Sequence, residues 1–163
     1  MQTDIEVRQP AAIERNKAIV LKFYGERDLK VQGDLLDPGF VGRAPGVPRF
    51  DRAGFLRGLA ELYDAFPDGR YVNDNIVAEG DQVVTVGRFQ GTHTGAFHGM
   101  PPTGKRVTLT AVHVDRIVGG KIVEHLRMSD PNEILEQIQP DASALASGGD
   151  LRRKTTKATG GLA

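Results

Sequence analysis

His113, Asp115, His125 and Arg127 are the side chains of this sequence whose types and spacing best suit chemistry. An imidazole exchanges protons near neutral pH, and a desolvated carboxylate that stays ionised can orient it. A guanidinium makes paired hydrogen bonds to carboxylate-like oxygens. The set predicts proton transfer, with His113, oriented by Asp115, as the proton carrier and Arg127 facing an anionic or strongly polar ligand group. The alternatives are a structural histidine and ordinary ion pairs.

These residues share one strand face only if the hairpin around Gly119 and Gly120 has a suitable register. A two-residue turn would place His113 opposite Leu126, whereas a three-residue loop would pair Ile117 with Lys121 and place His113 opposite His125. We favour the three-residue loop because it separates an ionisable face from an oily one. The ionisable face would comprise Ala111, His113, Asp115, His125, Arg127 and Ser129. The oily face would comprise Val112, Val114, Ile122, Leu126 and Met128. The ionisable face then either meets water or lines a cavity, and in the second case the oily face forms a subunit interface.

Four aromatic residues are expected to form the walls of such a cavity, with plain core packing as the alternative: Tyr63, Phe66, Phe89 and Phe97. Arg88, in GRFQGTH, reaches either the cavity or solvent, and it is assigned to substrate binding together with the aromatic residues. His125 is expected to contact the substrate from its place across from His113.

The segment GTHTGAFHGMPPTGKRV, residues 91–107, contains two of the four histidines and could belong to a metal site or a phosphate loop. His93, His98, His113 and His125 show no His-x-His or His-x3-His unit, so no metal is expected. PPTGK lacks the GxxxxGK[ST] arrangement and leads into a strand, which argues against a phosphate loop. The segment is better explained as a crossover at the mouth of a cavity.

Two helices that could position these residues are predicted before the strands. Apolar residues at helical spacing predict a helix over 11–27. Asp51 can cap a second helix, whose apolar side is Phe55, Leu59, Leu62 and Phe66 and which Pro67 ends. A last helix has a start signal made of Asp130, Pro131 and Glu133.

Alternating apolar and polar residues predict strands over 70–78, 82–92, 106–118 and 121–129, with a brief strand over 40–44. Helices followed by such strands indicate an α+β domain, in which a curved antiparallel sheet wraps around N-terminal helices and leaves an internal pocket. Residues 11–139 are predicted to form this domain, with an N-terminal arm over 1–10 and a flexible tail over 140–163, which is poor in bulky apolar residues.

The composition limits the partners. The 163 residues include 21 Lys plus Arg and 21 Asp plus Glu, so the formal net charge of zero argues against a nucleic-acid or anionic-membrane partner. There is no cysteine, which excludes thiol catalysis and Cys-based metal sites. No signal pattern and no long apolar run are present, so a cytoplasmic location is expected.

Three segments carry a family resemblance: AFPDGRYVNDNIVAEGDQVV at 65–84, GTHTGAFHGMPPTGKRV at 91–107 and RIVGGKIVEH at 116–125. In order and spacing they resemble the SnoaL-like polyketide cyclases, also called ester cyclases, over residues 11–138. GTHTG followed by G-x-PPTGK is the specific part. The resemblance implies a cone-shaped α+β barrel of the nuclear-transport-factor-like and ketosteroid-isomerase-like type, with a homodimer or homotetramer formed through the outer sheet face.

The resemblance also implies cofactor-free, aldol-type chemistry on a hydrophobic, oxygen-rich polyketide-type substrate. In the family a final-strand Asp, partnered by a residue at the position of His113, is the acid/base. Here Arg127 stands at that Asp position, and a guanidinium does not exchange protons near neutral pH. Arg43, in FVGRAPG, stands where the family often has His, and it is expected to point into the pocket and bind substrate.

Three functions remain open from the sequence. The first is a cyclase or isomerase that works by proton transfer, with Arg127 in place of the usual Asp. The second is an epoxide-opening hydrolase or cyclase on the same fold, with Asp115 and an arginine as a carboxylate–guanidinium pair. The third is a small-ligand-binding protein without catalysis.

Overall fold

The structure is a computed structural model that describes residues 2–130 and 132–140, with side chains described from residue 10 onward. Within these residues the chain forms four helices and six strands. The helices are α1 (Gln2–Gly25), α2 (Leu29–Leu35), α3 (Arg52–Ala65) and α4 (Glu133–Ile138). The strands are β1 (Leu36–Ala44), β2 (Val47–Asp51), β3 (Arg70–Glu79), β4 (Gln82–Thr92), β5 (Arg106–Val118) and β6 (Lys121–Met128).

The six strands form one curved sheet in the order β2-β1-β6-β5-β4-β3. The α+β class is as predicted, but the sheet is mixed, because β1 and β6 run parallel while the other pairs are antiparallel. The physical reason is the crossover: α3 carries the chain from the β2 edge to the β3 edge, so no hairpin constrains the direction of β6 beside β1. With β2 and β3 at its edges, the described sheet is open and not a closed barrel.

The N-terminal helices pack on the concave side of the sheet. Val20 and Phe23 of α1 are buried in a core cluster with Leu36, Phe40, Val83, Ile117 and Ile122. A second cluster contains Ala65, Phe66, Phe89, Val107, Leu109, Ile134 and Ile138. No described helix has the length and apolar character needed to span a membrane.

The helix ends show which start signals were predicted correctly. Asp51 caps α3 and accepts a hydrogen bond from the Gly54 backbone N–H at 2.7 Å, as expected. The first helix spans Gln2–Gly25, so it includes most of the residues predicted as an arm. The start of α4 was predicted wrongly: its N-cap is Asn132, and the Asp130 carboxylate accepts from the Asn132 N–H instead. Pro131 and the predicted tail from residue 141 lie outside the described residues.

The hairpin between β5 and β6 turns on two residues, not three. Gly119 and Gly120 have φ of 57° and 78°, and a two-residue type I′ hairpin turn requires positive φ at both of its central residues. Val118 accordingly pairs with Lys121. The favoured pairing of Ile117 with Lys121 was therefore wrong.

A bulge in β6 nevertheless preserves the predicted division of faces. Val123 is an extra residue between the Ile117–Ile122 and Arg116–Glu124 pairs, and such an insertion shifts all later pairs by one. His113 therefore lies opposite Arg127, and Asp115 lies opposite His125. All four ionisable side chains still share the inner face. Ile122 does not follow the prediction, because it lies before the bulge and is buried in the core.

Candidate active site

A cavity of about 570 Å³ lies between the helices and the concave face of the sheet. This volume suits a small organic ligand. Much of its lining is apolar, including Phe23, Phe55, Leu59, Leu62, Phe89 and Leu109. His113 of β5 and His125 and Arg127 of β6 line it from the sheet, so the ionisable face meets the cavity and not bulk water.

Asp115 lies behind this wall and is bound on both carboxylate oxygens. Its Oδ1 is 2.8 Å from His125 Nδ1, and its Oδ2 accepts a hydrogen bond from the Tyr24 hydroxyl at 3.0 Å. Asp115 is 1% and His125 3% exposed. Burial, followed by the charge of Asp115, raises the pKa of Tyr24 well above its ordinary value, so this hydroxyl stays protonated and remains a donor.

This network fixes the tautomer of His125. An ionised carboxylate only accepts hydrogen bonds, so His125 donates through Nδ1–H. A neutral His125 then has its lone pair on Nε2, which is the nitrogen left for a molecule in the cavity. The geometry is that of an imidazole base oriented by a carboxylate.

His113 is not oriented by Asp115, contrary to the prediction. Asp115 is already bound to its cross-strand neighbour His125 and to Tyr24. The His113 ring stacks on Tyr24 at 4.7 Å between centroids and lies 5.0 Å from Tyr71. Its Nδ1 is buried without a hydrogen-bond partner. Burial, and then the nearby His125 and Arg127, hold the pKa of His113 well below its ordinary value, so His113 is neutral at physiological pH.

Arg127 brings a guanidinium into the same wall. Its Nε is buried and has no hydrogen-bond partner. Burial lowers the pKa of Arg127, with the Tyr24 oxygen opposing that shift. An arginine remains protonated despite such a shift, so the cavity contains a partly desolvated positive charge.

Three of the predicted aromatic wall residues, Tyr63, Phe89 and Phe97, line the cavity. Phe66 is not among the lining residues: it is fully buried, and its ring packs on Phe89, His93 and Phe97 at 5.3–5.6 Å between centroids.

Arg43 and Arg88 do not point into the cavity, which corrects both predictions. Each occupies a strand position on the outer face, where an acidic neighbour lies within reach. Arg43 lies 3.6 Å from Glu124, and Arg88 forms a two-point pair with Asp74 at 2.7 and 2.8 Å.

Two residues of the site were not singled out from the sequence. Tyr24 is in the apolar stripe of the first helix, but only the packing of α1 on the sheet brings it to Asp115, 91 positions away. Gln32 is buried and donates to the Tyr63 hydroxyl at 2.8 Å, while that hydroxyl lies 3.1 Å from the Gln32 carbonyl oxygen. No sequence signal indicated Gln32.

The 93–105 segment packs against the end of α3, beside the second core cluster, where the His93 ring lies 5.3 Å from the Phe66 ring. The Thr94 and Gly95 N–H groups both donate to the Ala65 carbonyl at the end of α3, at 3.0 Å. His93 is fully buried, with Nδ1 3.0 Å from the Thr103 hydroxyl, and burial lowers its pKa. His98 lines the cavity. Among the described residues no group of three or more His, Asp or Glu side chains is arranged to hold a metal ion.

The chain belongs to the SnoaL-like polyketide cyclase family, whose sequence profile matches residues 17–138. This defines the class of protein to which the fold and the cavity belong. No match is found among curated proteins.

Solved structures of similar proteins agree with this assignment. AclR from Streptomyces galilaeus, a proposed hydroxylase, is 26% identical with a TM-score of 0.72, over 83% of this chain and 90% of that one. A proposed SnoaL-like polyketide cyclase from Jannaschia sp. CCS1 is 25% identical with a TM-score of 0.71, over 79% and 95%. IdmH from Streptomyces antibioticus, a proposed polyketide cyclase, is 30% identical with a TM-score of 0.66, over 75% and 96%.

Proposed function

We propose that this protein is a cofactor-independent cyclase or isomerase that acts on a hydrophobic, oxygen-rich intermediate of the polyketide type by proton transfer. The observation that carries this proposal is the buried Asp115–His125 pair at the wall of an apolar cavity of about 570 Å³. Such a pair supplies a proton acceptor of fixed tautomer in a place from which water can be displaced.

In the proposed reaction, His125 Nε2 takes a proton from a carbon next to a substrate carbonyl. The resulting enolate carbon attacks a second carbonyl of the same molecule, and a carbon–carbon bond forms. The new alkoxide takes the proton back from His125. The cycle consumes no oxidant or other reagent, and an isomerase reaction would use the same first step with return of the proton to another carbon.

Neutral His113 is the proposed donor to the enolate oxygen. Its low pKa keeps it uncharged, and with Nδ1 buried its other ring nitrogen is the one that can donate into the cavity. A neutral imidazole can stabilise a developing oxyanion by such a hydrogen bond. Arg127 adds a positive charge that favours anionic substrate oxygens. In this proposal His125 carries out the acid/base chemistry, and Arg127, which we expect at the position of the family's Asp, takes no proton.

The epoxide-opening alternative needs a carboxylate that reaches the substrate beside an arginine. Asp115 does not line the cavity, and its oxygens are engaged by His125 and Tyr24. This geometry favours proton transfer through His125 over activation of water by Asp115.

The test is hydrogen–deuterium exchange at the carbon between the two carbonyls of aromatic β-keto esters in D2O, followed by proton NMR. The wild-type protein should accelerate this exchange, and His125→Gln should lose about 10²- to 10⁴-fold of the acceleration, the usual contribution of a general base. His93→Gln is the matched control, because it also removes a fully buried imidazole but one that does not line the cavity. Probe binding without exchange would support the non-catalytic alternative, and equal exchange by wild type and His125→Gln would remove His125 from the mechanism.

We also propose that the outer sheet face joins copies of the chain. Val84, Val86, Val112, Val114, Leu126 and Met128 are cross-strand neighbours on this face of β4, β5 and β6. Val86, Leu126 and Met128 are 36–48% exposed. A contiguous apolar face of this kind is typical of a protein–protein contact.

A further inference from the structure

Most polar groups that line the cavity are already satisfied within the protein. Gln32 and the Tyr63 hydroxyl bond to each other, and Gln32 also donates to the Phe23 carbonyl at 3.1 Å. Arg27 donates to the carbonyls of Gly69 and Phe66 and lies over the Tyr63 ring. These groups therefore do not need a hydrogen bond from a ligand.

Two described residues that line the cavity, Glu26 and Asp130, carry carboxylates, and both are engaged with backbone N–H groups. Glu26 accepts from Arg27 and Asp28 at 2.8 and 2.9 Å. Asp130 accepts from Asn132 at 2.9 Å. Among the ion pairs of the described residues, none includes Arg127. The protein therefore supplies Arg127 with no counter-charge from these groups.

Asp115 does not neutralise Arg127 either. The two residues occupy diagonal positions on neighbouring strands, since Asp115 lies opposite His125 and Arg127 lies opposite His113. Asp115 instead binds His125 and Tyr24. Arg127 is only partly exposed, and its buried Nε–H has no partner. This is unfavourable for a cation, and a bound anion would relieve that cost.

We propose that Arg127 anchors a carboxylate carried by the substrate, so that the substrate is a hydrophobic carboxylic acid. This inference rests on the proposed function in taking the cavity as the substrate site, and it deepens that function by naming the substrate class. A planar carboxylate can accept two parallel hydrogen bonds from a guanidinium.

A carboxylate fits the site better than a phosphate ester because of charge. Among the described residues, Arg27 and Arg70 also line the cavity without an ion pair, but Arg27 donates to two backbone carbonyls and Arg70 is exposed to solvent. Arg127 is the one whose Nε–H is buried without a partner, and neutral His113 opposite it adds no second positive charge there. A monoanion balances one guanidinium, whereas a phosphate monoester would bring close to two negative charges into an apolar cavity.

The test compares two unreactive probes by isothermal titration calorimetry at neutral pH: 2-naphthoate and its uncharged methyl ester. Wild-type protein should bind the acid roughly 10- to 100-fold more tightly than the ester, as expected for a charge-assisted hydrogen-bonded pair. Arg127→Met should lose this preference while it retains affinity for the ester. Arg88→Met is the matched control and should keep the preference, because Arg88 lies on the outer face.

If Arg127→Met does not fold, an NMR titration of the wild-type protein can be used in its place. In wild-type protein the Arg127 Nε–H resonance, assigned by comparison with Arg127→Lys, should move on addition of 2-naphthoate and not on addition of the ester. An equal affinity for both probes, binding of neither, or an acid preference that persists in Arg127→Met would overturn the proposal. Because neither probe has an exchangeable proton next to a ketone, the result is independent of catalysis. If the protein prefers 2-naphthoate to its ester but does not accelerate hydrogen–deuterium exchange in the β-keto esters, only the proposed function is contradicted. If it accelerates that exchange but shows no preference for 2-naphthoate, only this inference is contradicted.

Discussion

Replacing Asp115 by Asn tests the Asp115–His125–Tyr24 network without changing the size of the side chain. Two donors converge on the carboxylate, from His125 at 2.8 Å and from Tyr24 at 3.0 Å. Asparagine has one oxygen and one NH2 group, so it can accept from one donor and must present its own donor to the other. His125 can adapt by moving its proton to Nε2, because Nδ1 then accepts from the Asn NH2 group.

The cost follows from the loss of charge, because after this adaptation both hydrogen bonds are made to a neutral amide. A hydrogen bond to a charged group contributes about 1.5–3 kcal/mol, and one between neutral groups contributes about 0.5–1.5 kcal/mol. We expect Asp115→Asn to lower the free energy of unfolding by about 2 kcal/mol, or Tm by about 4–8 °C for a chain of this length. Because the adapted tautomer has no lone pair on Nε2, proton exchange should fall by about 10²- to 10⁴-fold.

The Tyr24→Phe companion variant tests whether Tyr24 and His125 share the carboxylate. The Tyr24 hydroxyl bonds to a charged carboxylate in the wild-type protein and to a neutral amide in Asp115→Asn, so its removal should cost less in the double variant. A urea-denaturation cycle should therefore show the double variant more stable than the sum of the single effects by about 1 kcal/mol or more. Strictly additive effects, together with exchange by Asp115→Asn within three-fold of wild type, would refute the reasoning.

The other predictions concern pH, the loop and the outer face. The pKa of His113 is lowered in the folded state, so below about pH 6.5 the unfolded chain binds a proton at this residue that the folded chain does not. The free energy of unfolding should therefore fall by up to about 1.4 kcal/mol for each unit of pH decrease below about 6.5. Urea denaturation at neutral and acidic pH should give a weaker dependence for His113→Gln, and an unchanged slope would contradict this. Gly95→Ala should destabilise the fold by about 1–3 kcal/mol, because the added Cβ would lie 2.2 Å from the Asp64 carbonyl oxygen. Gly58→Ala, whose Cβ would have nothing within 4 Å, should stabilise the fold by about 0.5–1 kcal/mol. Equal Tm values for the two variants in thermal denaturation would contradict the close approach of Gly95 to Asp64. Leu126→Glu should lower the oligomeric state measured by light scattering, and a wild-type monomer would defeat the proposed interface.

Alternation along the strands was enough to predict which ionisable residues share a face. His113, Asp115, His125 and Arg127 share the inner face, although the predicted turn and pairing were wrong. The two-residue turn and the bulge at Val123 together shift the register by two residues from the favoured one, which leaves the faces unchanged. The same alternation could not place Ile122, because it precedes the bulge.

Contacts between distant elements could not be predicted in this way. Tyr24 reaches Asp115 only because α1 packs across the sheet. The other Asp115 oxygen binds His125, its cross-strand neighbour, so Asp115 orients His125 and not His113. Arg43 and Arg88 were assigned to the pocket from their charge and from a family position. Their strand positions place them on the outer face beside Glu124 and Asp74, where ion pairs form.

The most direct measurement of the central claim is the tautomer of His125, since it requires no substrate. Histidine labelled with nitrogen-15 gives separate signals for the two ring nitrogens, and His125→Gln assigns them among the four histidines of the chain. At mildly alkaline pH we predict a protonated Nδ1 and an unprotonated Nε2 for His125, with the reverse tautomer in Asp115→Asn. A His125 that carries its proton on Nε2 in the wild-type protein would contradict its assignment as the base.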